Sequence, residues 1–379
     1  MQLQDIPTPA ALIDTARMQH NIERMQSRMD TLGVKFRPHV KTTKCLPVAR
    51  AQIAAGAQGI TVSTLKEAEQ FFADGVTDIL YAVGMVATKL PQALALLRSG
   101  CKLTLLTDNL ASAQAISAFG RAQGQVFDVM IEIDTDGHRS GVKPEDDSLL
   151  AIGDALQGGA RLAGVLTHAG SSYELSTPEA LEALAEVERA GCVRAAERLR
   201  AAGFACPIVS VGSTPTALAA RHLEGVTEVR AGVYVLFDLV MANVGVCTTD
   251  DVALSVLTTV IGHQPDKGWA IVDAGWMAMS RDRGTQKQAT DYGYGQACSE
   301  DGRVLPGWRL TGANQEHGIL SYAGAVDAGA TNDIEARFPV GTRLRILPNH
   351  SCATGAQFPE YKAIAPGGAA QIWERFRGW

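Results

Sequence analysis

In the first 240 or so residues, strand-like runs and helix-like segments alternate eight times, and few architectures accommodate that pattern. Short β-branched or apolar runs bounded by turn residues occur at VKFRPHV (34–40), GITVST (59–64), DILYAV (78–83) and KLTLLTD (102–108). Four more follow, FDVMIEID (127–134), LAGVLTH (162–168), IVSVGS (208–213) and EVRAGVYVL (228–236). Between them lie stretches of strong helix formers with helical periodicity, such as LKEAEQFFADG and PEALEALAEVERAGCVRAAERLRAAG. Parallel strands need crossover connections, and eight strand–helix units in about 230 residues match a (β/α)8 barrel in size and count. A doubly wound open sheet is the alternative, but its Gly-x-Gly-x-x-Gly turn is missing after the first strand. Past residue 245 the texture changes to strand-like runs (ALSVLTTVIGH, GWAIVDAG, GTRLRILPN) separated by Gly, Asp and Pro turns. The expectation is an α/β chain with a barrel over residues 12–245 and a mainly β domain over 246–379. The opening TPAALID is a further short strand, by which residues 1–11 could join that later domain.

Charge and composition exclude several classes of function. A net charge of -6 and an isoelectric point near 5.8 give no basic footprint for nucleic acid. No run approaches the roughly 18 apolar residues needed to cross a bilayer, and MQLQDIPTPA lacks the regions of a secretion signal. Seven scattered cysteines argue against a disulfide framework and for reduced thiols. A cytoplasmic enzyme with no membrane or nucleic-acid partner is expected.

Barrel chemistry gathers at the C-terminal ends of the strands, where loops vary on a rigid frame. The first strand delivers His39 and Lys41, and the fifth leads to Asp134, Gly137 and Arg139. The sixth ends at His168 with Tyr173 beyond, the seventh in VGSTPT (211–216), and the eighth contains Arg230, Gly232 and Val233. A small polar turn entering a helix, beside a glycine in the next strand, offers backbone N–H groups to a phosphate. A lysine can condense with an aldehyde. Pyridoxal phosphate has both groups. Taken singly, a lysine after a strand is usually a solvated charge, and a Ser-Thr-Pro turn is usually an N-cap. Their joint placement at one barrel end carries the inference.

The motifs RPHVKTTK, EIDTDGHRSGV, LTHAGSSYE, VGSTPT and VRAGVYV resemble those of pyridoxal-phosphate enzymes with an alanine racemase-like barrel, in particular the D-serine dehydratase and D-threonine aldolase group. The resemblance extends along essentially the whole chain. It implies Lys41 as the Schiff-base lysine, Arg139 near the cofactor's phenolic oxygen, His168 beside the pyridine ring and Arg230 facing the ring nitrogen. It further implies Ser213, Thr214, Gly232 and Val233 around the phosphate, Tyr173 as a nearby contact, and a homodimer. An arginine at the ring nitrogen keeps that nitrogen unprotonated and weakens the electron sink. A structural ion pair on the barrel rim is the alternative role for Arg230.

Near the C-terminus, RLRILPNHSCATG sets His350 and Cys352 two residues apart; on an extended chain both would point to one side and could meet one ion. Alone, such a pair is more often two ordinary buried side chains. The resemblance implies a metal site there that faces the cofactor, with a cysteine where the aldolase branch has a carboxylate. Imidazole with thiolate suits zinc and permits manganese, cobalt or nickel. The implied activity is loss of water from a D-β-hydroxy amino acid: 3-hydroxyaspartate to oxaloacetate, serine to pyruvate, or threonine to 2-oxobutanoate, with ammonia released. A D-threonine-type aldolase, a racemase and a non-catalytic cofactor carrier are the alternatives. Arg281, Arg283, Gln315 and His317 are candidates to receive the substrate side chain.

Overall fold

The computed structural model describes residues 1–324 and 333–379. It consists of two compact units, Met1–Ile22 with Val233–Arg375, and Glu23–Gly232 with Phe376–Trp379. After β1 (Ala10–Asp14) of the first unit come the strands of the second. These are β2 (Lys35–Phe36), β3 (Ile60–Val62), β4 (Asp78–Gly84), β5 (Lys102–Thr107), β6 (Phe127–Ile133), β7 (Ala160–Thr167), β8 (Ile208–Val211) and β9 (Glu228–Val229). Strands β3 to β9 pair in parallel in chain order, and β9 pairs with β2. The ring closes where His39 bridges Thr61: Thr61 N–H donates to Pro38 O at 2.8 Å and Gln58 N–H to Phe36 O at 2.7 Å. This is the (β/α)8 barrel.

Helices alternate with these strands for local reasons. Thr64 caps Leu65–Ala73 by accepting Glu67 N–H at 3.0 Å, and Asn109 caps Leu110–Gln123 by accepting Ser112 N–H at 2.9 Å. Gly124, at φ 62°, ends the second of these in the left-handed conformation that glycine adopts without strain. Strands β6 and β7 are buried along nearly their whole length, as parallel strands covered on both faces must be. The runs read at 34–40 and 228–236 form regular strands only over Lys35–Phe36 and Glu228–Val229. Pro38 has no N–H to give, and the chain turns into single 3-10 turns at Val40–Thr42 and Val233–Val235. The inter-strand bonding nevertheless runs on, with His39 N–H on Ala231 O at 2.8 Å and Arg230 N–H on Val211 O at 2.8 Å.

The other unit is antiparallel. Its strands β10 (Leu254–Gln264), β11 (Trp269–Val272), β12 (Gly295–Ser299), β13 (Val304–Ala313), β14 (Gly318–Tyr322) and β15 (Arg343–Pro348) close in the cycle β10-β11-β14-β13-β12-β15. A register shift between Val260 and Gly262 bends β10, so that its first half pairs with β15 and its second with β11. The β10 edge is extended by β1, antiparallel to β10 and parallel to β16 (Glu360–Ile364), which in turn pairs with β17 (Ala370–Glu374). Trp308 anchors the core, edge-on to Phe338 at 4.8 Å and to Tyr322 at 5.6 Å between ring centroids.

Candidate active site

The C-terminal ends of the barrel strands bring most of the sequence-predicted cofactor residues together. Lys41 sits exposed in the turn Val40–Thr42, whose cap is the imidazole of His39: Lys41 N–H donates to His39 Nδ1 at 3.4 Å. Accepting at Nδ1 leaves the His39 proton on Nε2, 3.4 Å from Ser63 Oγ. Burial, then the charges of Lys41 and Arg230, hold this imidazole well below the usual histidine range.

His168, at the end of β7, has Nδ1 3.0 Å from Gly212 O. A carbonyl only accepts, so the proton lies on Nδ1 and Nε2 keeps its lone pair. Burial pushes its pKa down to about 3, and Lys41, Arg230 and Arg139 push in the same direction against the bond to Gly212. The Tyr173 ring stands 6.1 Å from the His168 ring.

Arg230 is buried, not placed on the rim. Its Nε donates to Ser210 Oγ at 2.9 Å and its Nη2 to Thr167 O. Ser210 Oγ donates in turn to Glu228 Oε1 at 2.8 Å, and Glu228 Oε2 accepts from Arg37 Nε at 2.7 Å. The guanidinium is thus held between three adjacent strands. Arg139 is more exposed and pairs with Glu132 at 3.3 Å.

Ser213 caps the short helix Thr214–Ala219, and its hydroxyl lies 2.8 Å from Ser172 Oγ. Before it, Gly212 has φ 133°, and a Cβ there would stand 2.2 Å from Arg230 O. A Cβ on Gly232 would press within 3.1 Å of His39 O and Thr42 Oγ1. Lys41, Arg139, His168, Tyr173, Ser213, Thr214, Arg230 and Gly232 therefore belong to one unit, while Val233 opens the turn Val233–Val235 of the other. Burial with cationic neighbours that holds two imidazoles neutral, glycines that bare the backbone and an exposed lysine amine fit an anionic aldehyde such as pyridoxal phosphate.

Glu188 was not among the residues singled out from sequence. Its Oε1 accepts N–H from both Ala169 and Gly212 at 3.0 Å, which ties the turn after β7 to the turn after β8. Burial raises its pKa, against the bonds from Thr216 and those two amides. A signal was present: on the helix Pro178–Ala201, Glu188 falls on the stripe Leu181, Ala185, Cys192, Ala195 and Leu199, otherwise apolar and buried.

The β unit carries the second set. His350 occupies the N-cap position of the helix Ser351–Gly355 without a side-chain cap bond, so Cys352 lies in a first helical turn and not on extended chain. The two side chains still meet, because the strand-to-helix turn brings them into hydrogen-bond contact. Asp282 Oδ2 lies 2.6 Å from His350 Nδ1. Asp238, buried, accepts Ser351 N–H at 3.0 Å and Met241 N–H at 3.0 Å, and so fixes the turn. Burial alone would lower the His350 pKa, but Asp282, Cys352 and Asp238 outweigh it and raise it to about 11. This surrounding attracts cations. Among the described residues no three His, Cys, Asp or Glu side chains gather in metal-holding geometry. A site with two protein donors fits a catalytic metal, which keeps positions open. Sequence reasoning missed Asp282 and Asp238, which no local spacing relates to His350.

Of the candidates for the substrate side chain, Arg283 is already paired with Asp291 at 3.1 Å, whereas Arg281 lies over the Trp276 ring at 4.7 Å. Gln315 accepts Met277 N–H through its backbone oxygen at 3.1 Å, and His317 accepts Asn314 N–H likewise at 2.8 Å.

Residues 13–239 match the family of alanine racemase N-terminal domains and residues 253–364 the putative serine dehydratase domain. A D-threo-3-hydroxyaspartate dehydratase of Delftia sp. (strain HT23) is 71% identical over 379 residues, spanning 100% of this chain and 99% of the relative. This chain belongs to that dehydratase family. As a member it is a pyridoxal-phosphate-dependent lyase with the alanine racemase-like fold. A solved structure of the Delftia dehydratase superposes with a TM-score of 0.97 at 71% identity, covering 100% of both chains. A cysteine-to-alanine mutant of a D-threo-3-hydroxyaspartate dehydratase, described as metal-free, superposes at 0.98 with 70% identity, again over 100% of both. A D-threonine aldolase from Filomicrobium marinum is more distant, with a TM-score of 0.84 and 25% identity over 99% of this chain and 96% of that one.

Proposed function

We propose that this enzyme removes water from D-threo-3-hydroxyaspartate to give, after hydrolysis, oxaloacetate and ammonia, and that D-serine and D-threonine are lesser substrates. The observation that carries this reading is the hydrogen-bonded His350–Cys352 pair with a carboxylate on its imidazole, in a chain 71% identical end to end to a dehydratase of that name. When bound, pyridoxal phosphate withdraws the electron pair left at Cα and a divalent cation, zinc or one of manganese, cobalt and nickel, acts as Lewis acid toward the departing hydroxide.

The chain's own residues do the rest. Lys41 anchors the cofactor and, once released from it, takes the Cα proton at Nζ. Arg230, braced by Ser210 and Thr167 O, presents a fixed cation to the ring nitrogen. His168, with its proton committed to Gly212 O, offers a neutral imidazole beside the ring. Arg139 and Tyr173 flank the cofactor, and Ser213, Thr214, Gly232 and Val233 line its phosphate. His350 and Cys352 hold the cation.

Among the described residues no helix is long and apolar enough to cross a membrane. None of the seven cysteines, all among the described residues, is joined in a disulfide. A cytoplasmic homodimer is part of the same proposal, and a monomer in analytical sedimentation would remove the dimer.

Incubation with D-threo-3-hydroxyaspartate, D-serine and D-threonine, with products identified and a chelator control, tests the function. Ammonia with a 2-oxo acid, suppressed by the chelator, is expected. Glycine with an aldehyde would make the enzyme an aldolase instead.

A further inference from the structure

We infer that Asp282 is the positioning residue of the metal pair: its carboxylate holds the Nδ1 proton of His350, so that Nε2 is presented as the ligating nitrogen. This rests on the proposal that His350 and Cys352 bind a divalent cation. A neutral imidazole ligates through one nitrogen only when the proton sits on the other, and a carboxylate on that proton fixes both tautomer and ring orientation.

The contact is built into the fold. Asp282 N–H donates to Ser280 Oγ at 3.1 Å, and Asp282 O accepts from Asn349 Nδ2 at 3.4 Å. Asn349, the residue before His350, is buried and clamped by Thr285 Oγ1 at 3.1 Å on its oxygen and by Gly293 O at 2.7 Å on its nitrogen. The same asparagine thus fixes the carboxylate's loop and the chain entering His350. Two alternatives fit the geometry less well. As a ligand, Asp282 would make a third donor beside His350 and Cys352, and among the described residues no group of three ligating side chains forms. As a surface ion pair it would need no such scaffold, and pairs of that kind contribute little.

The test is zinc binding by the holoenzyme stripped of metal, measured by competition with a fluorescent chelator and read beside cofactor absorbance and the metal-free melting temperature. Asp282→Ala should weaken zinc binding about 10- to 100-fold. Asp282→Asn, which keeps the size but not the charge, should fall between it and the parent, and Asp282→Glu should recover part of the loss. Cofactor absorbance should match the parent throughout, and metal-free melting should fall only by what the loss of the Asp282–His350 contact costs, less in Asp282→Asn than in Asp282→Ala. Parental zinc affinity in Asp282→Ala, with zinc lost in His350→Ala and Cys352→Ala, would overturn the positioning role and leave the metal pair standing. Zinc retained by all of these variants would remove the metal reading itself. A weakened zinc affinity that comes only with lost cofactor colour and lower metal-free melting in both Asp282→Ala and Asp282→Asn would mark Asp282 as structural and overturn the inference.

Discussion

His168 and His350 are the same side chain placed in opposite surroundings. In the barrel unit, burial and the cations Lys41, Arg230 and Arg139 hold His168 neutral down to about pH 3. In the β unit, Asp282, Cys352 and Asp238 raise His350 to about 11, although burial there acts downward too. Desolvation has the same sign at both histidines, so the neighbouring charges decide the difference. One set suits an anion and the other a cation, in keeping with the phosphate-bearing cofactor and the proposed Lewis-acid metal.

The contrast can be broken in order of effect. Lys41→Ala should remove the yellow colour of the bound cofactor and lower turnover by on the order of 10⁴-fold or more, since the proposed anchor and base would both be lost. Retained colour would place the anchor elsewhere. Cys352→Ala and His350→Ala should keep the colour yet lose the metal. A Lewis acid is worth several kcal/mol, so turnover should fall by about 10²- to 10³-fold. Full activity of either variant in chelated buffer would end the cation side of the comparison.

Glu188→Ala strands two buried N–H groups, each worth about 1–3 kcal/mol. Urea denaturation should show that loss together with faster cofactor release, while Glu188→Gln, which keeps an acceptor oxygen, should stay near the parent. Equal stability of all three proteins would show that the turns after β7 and β8 do not depend on this carboxylate. The smallest effect concerns pH. Between 6.5 and about 3 the unfolded chain protonates His168 and the folded one does not, so folding stability falls as pH drops through that window. His168→Gln should flatten this acid limb in denaturation series from pH 7 to 4. An unchanged slope would mean that the residue titrates normally.

Much of the barrel was legible because its signals are local. Period and turn residues marked the strands; several came out a residue or more shorter than read, most of all the first and last at two residues each, where Pro38 and the turn at Val233–Val235 interrupt a regular ladder. The pair His350 and Cys352 was visible as a motif, although it closes across a strand-to-helix turn and not along extended chain. Glu188 left a trace, a charged residue on an apolar stripe, which only burial shows to be a partner of two turns. The placement of Phe376–Trp379 with the barrel unit left none; there Phe376 N–H donates to Lys44 O at 2.7 Å.

By itself, the sequence determined the alternation that makes a barrel, the lysine that follows its first strand and the motifs shared with the dehydratase family. These depend on periodicity and on residues close together in the chain. Only the tertiary structure decided the surroundings that push His168 and His350 in opposite directions and the partners of Arg230. Asp282 is 68 positions from His350, and Glu188 is 24 from Gly212. The field at an ionisable group comes from whatever packs around it, and packing across such separations follows no rule of spacing.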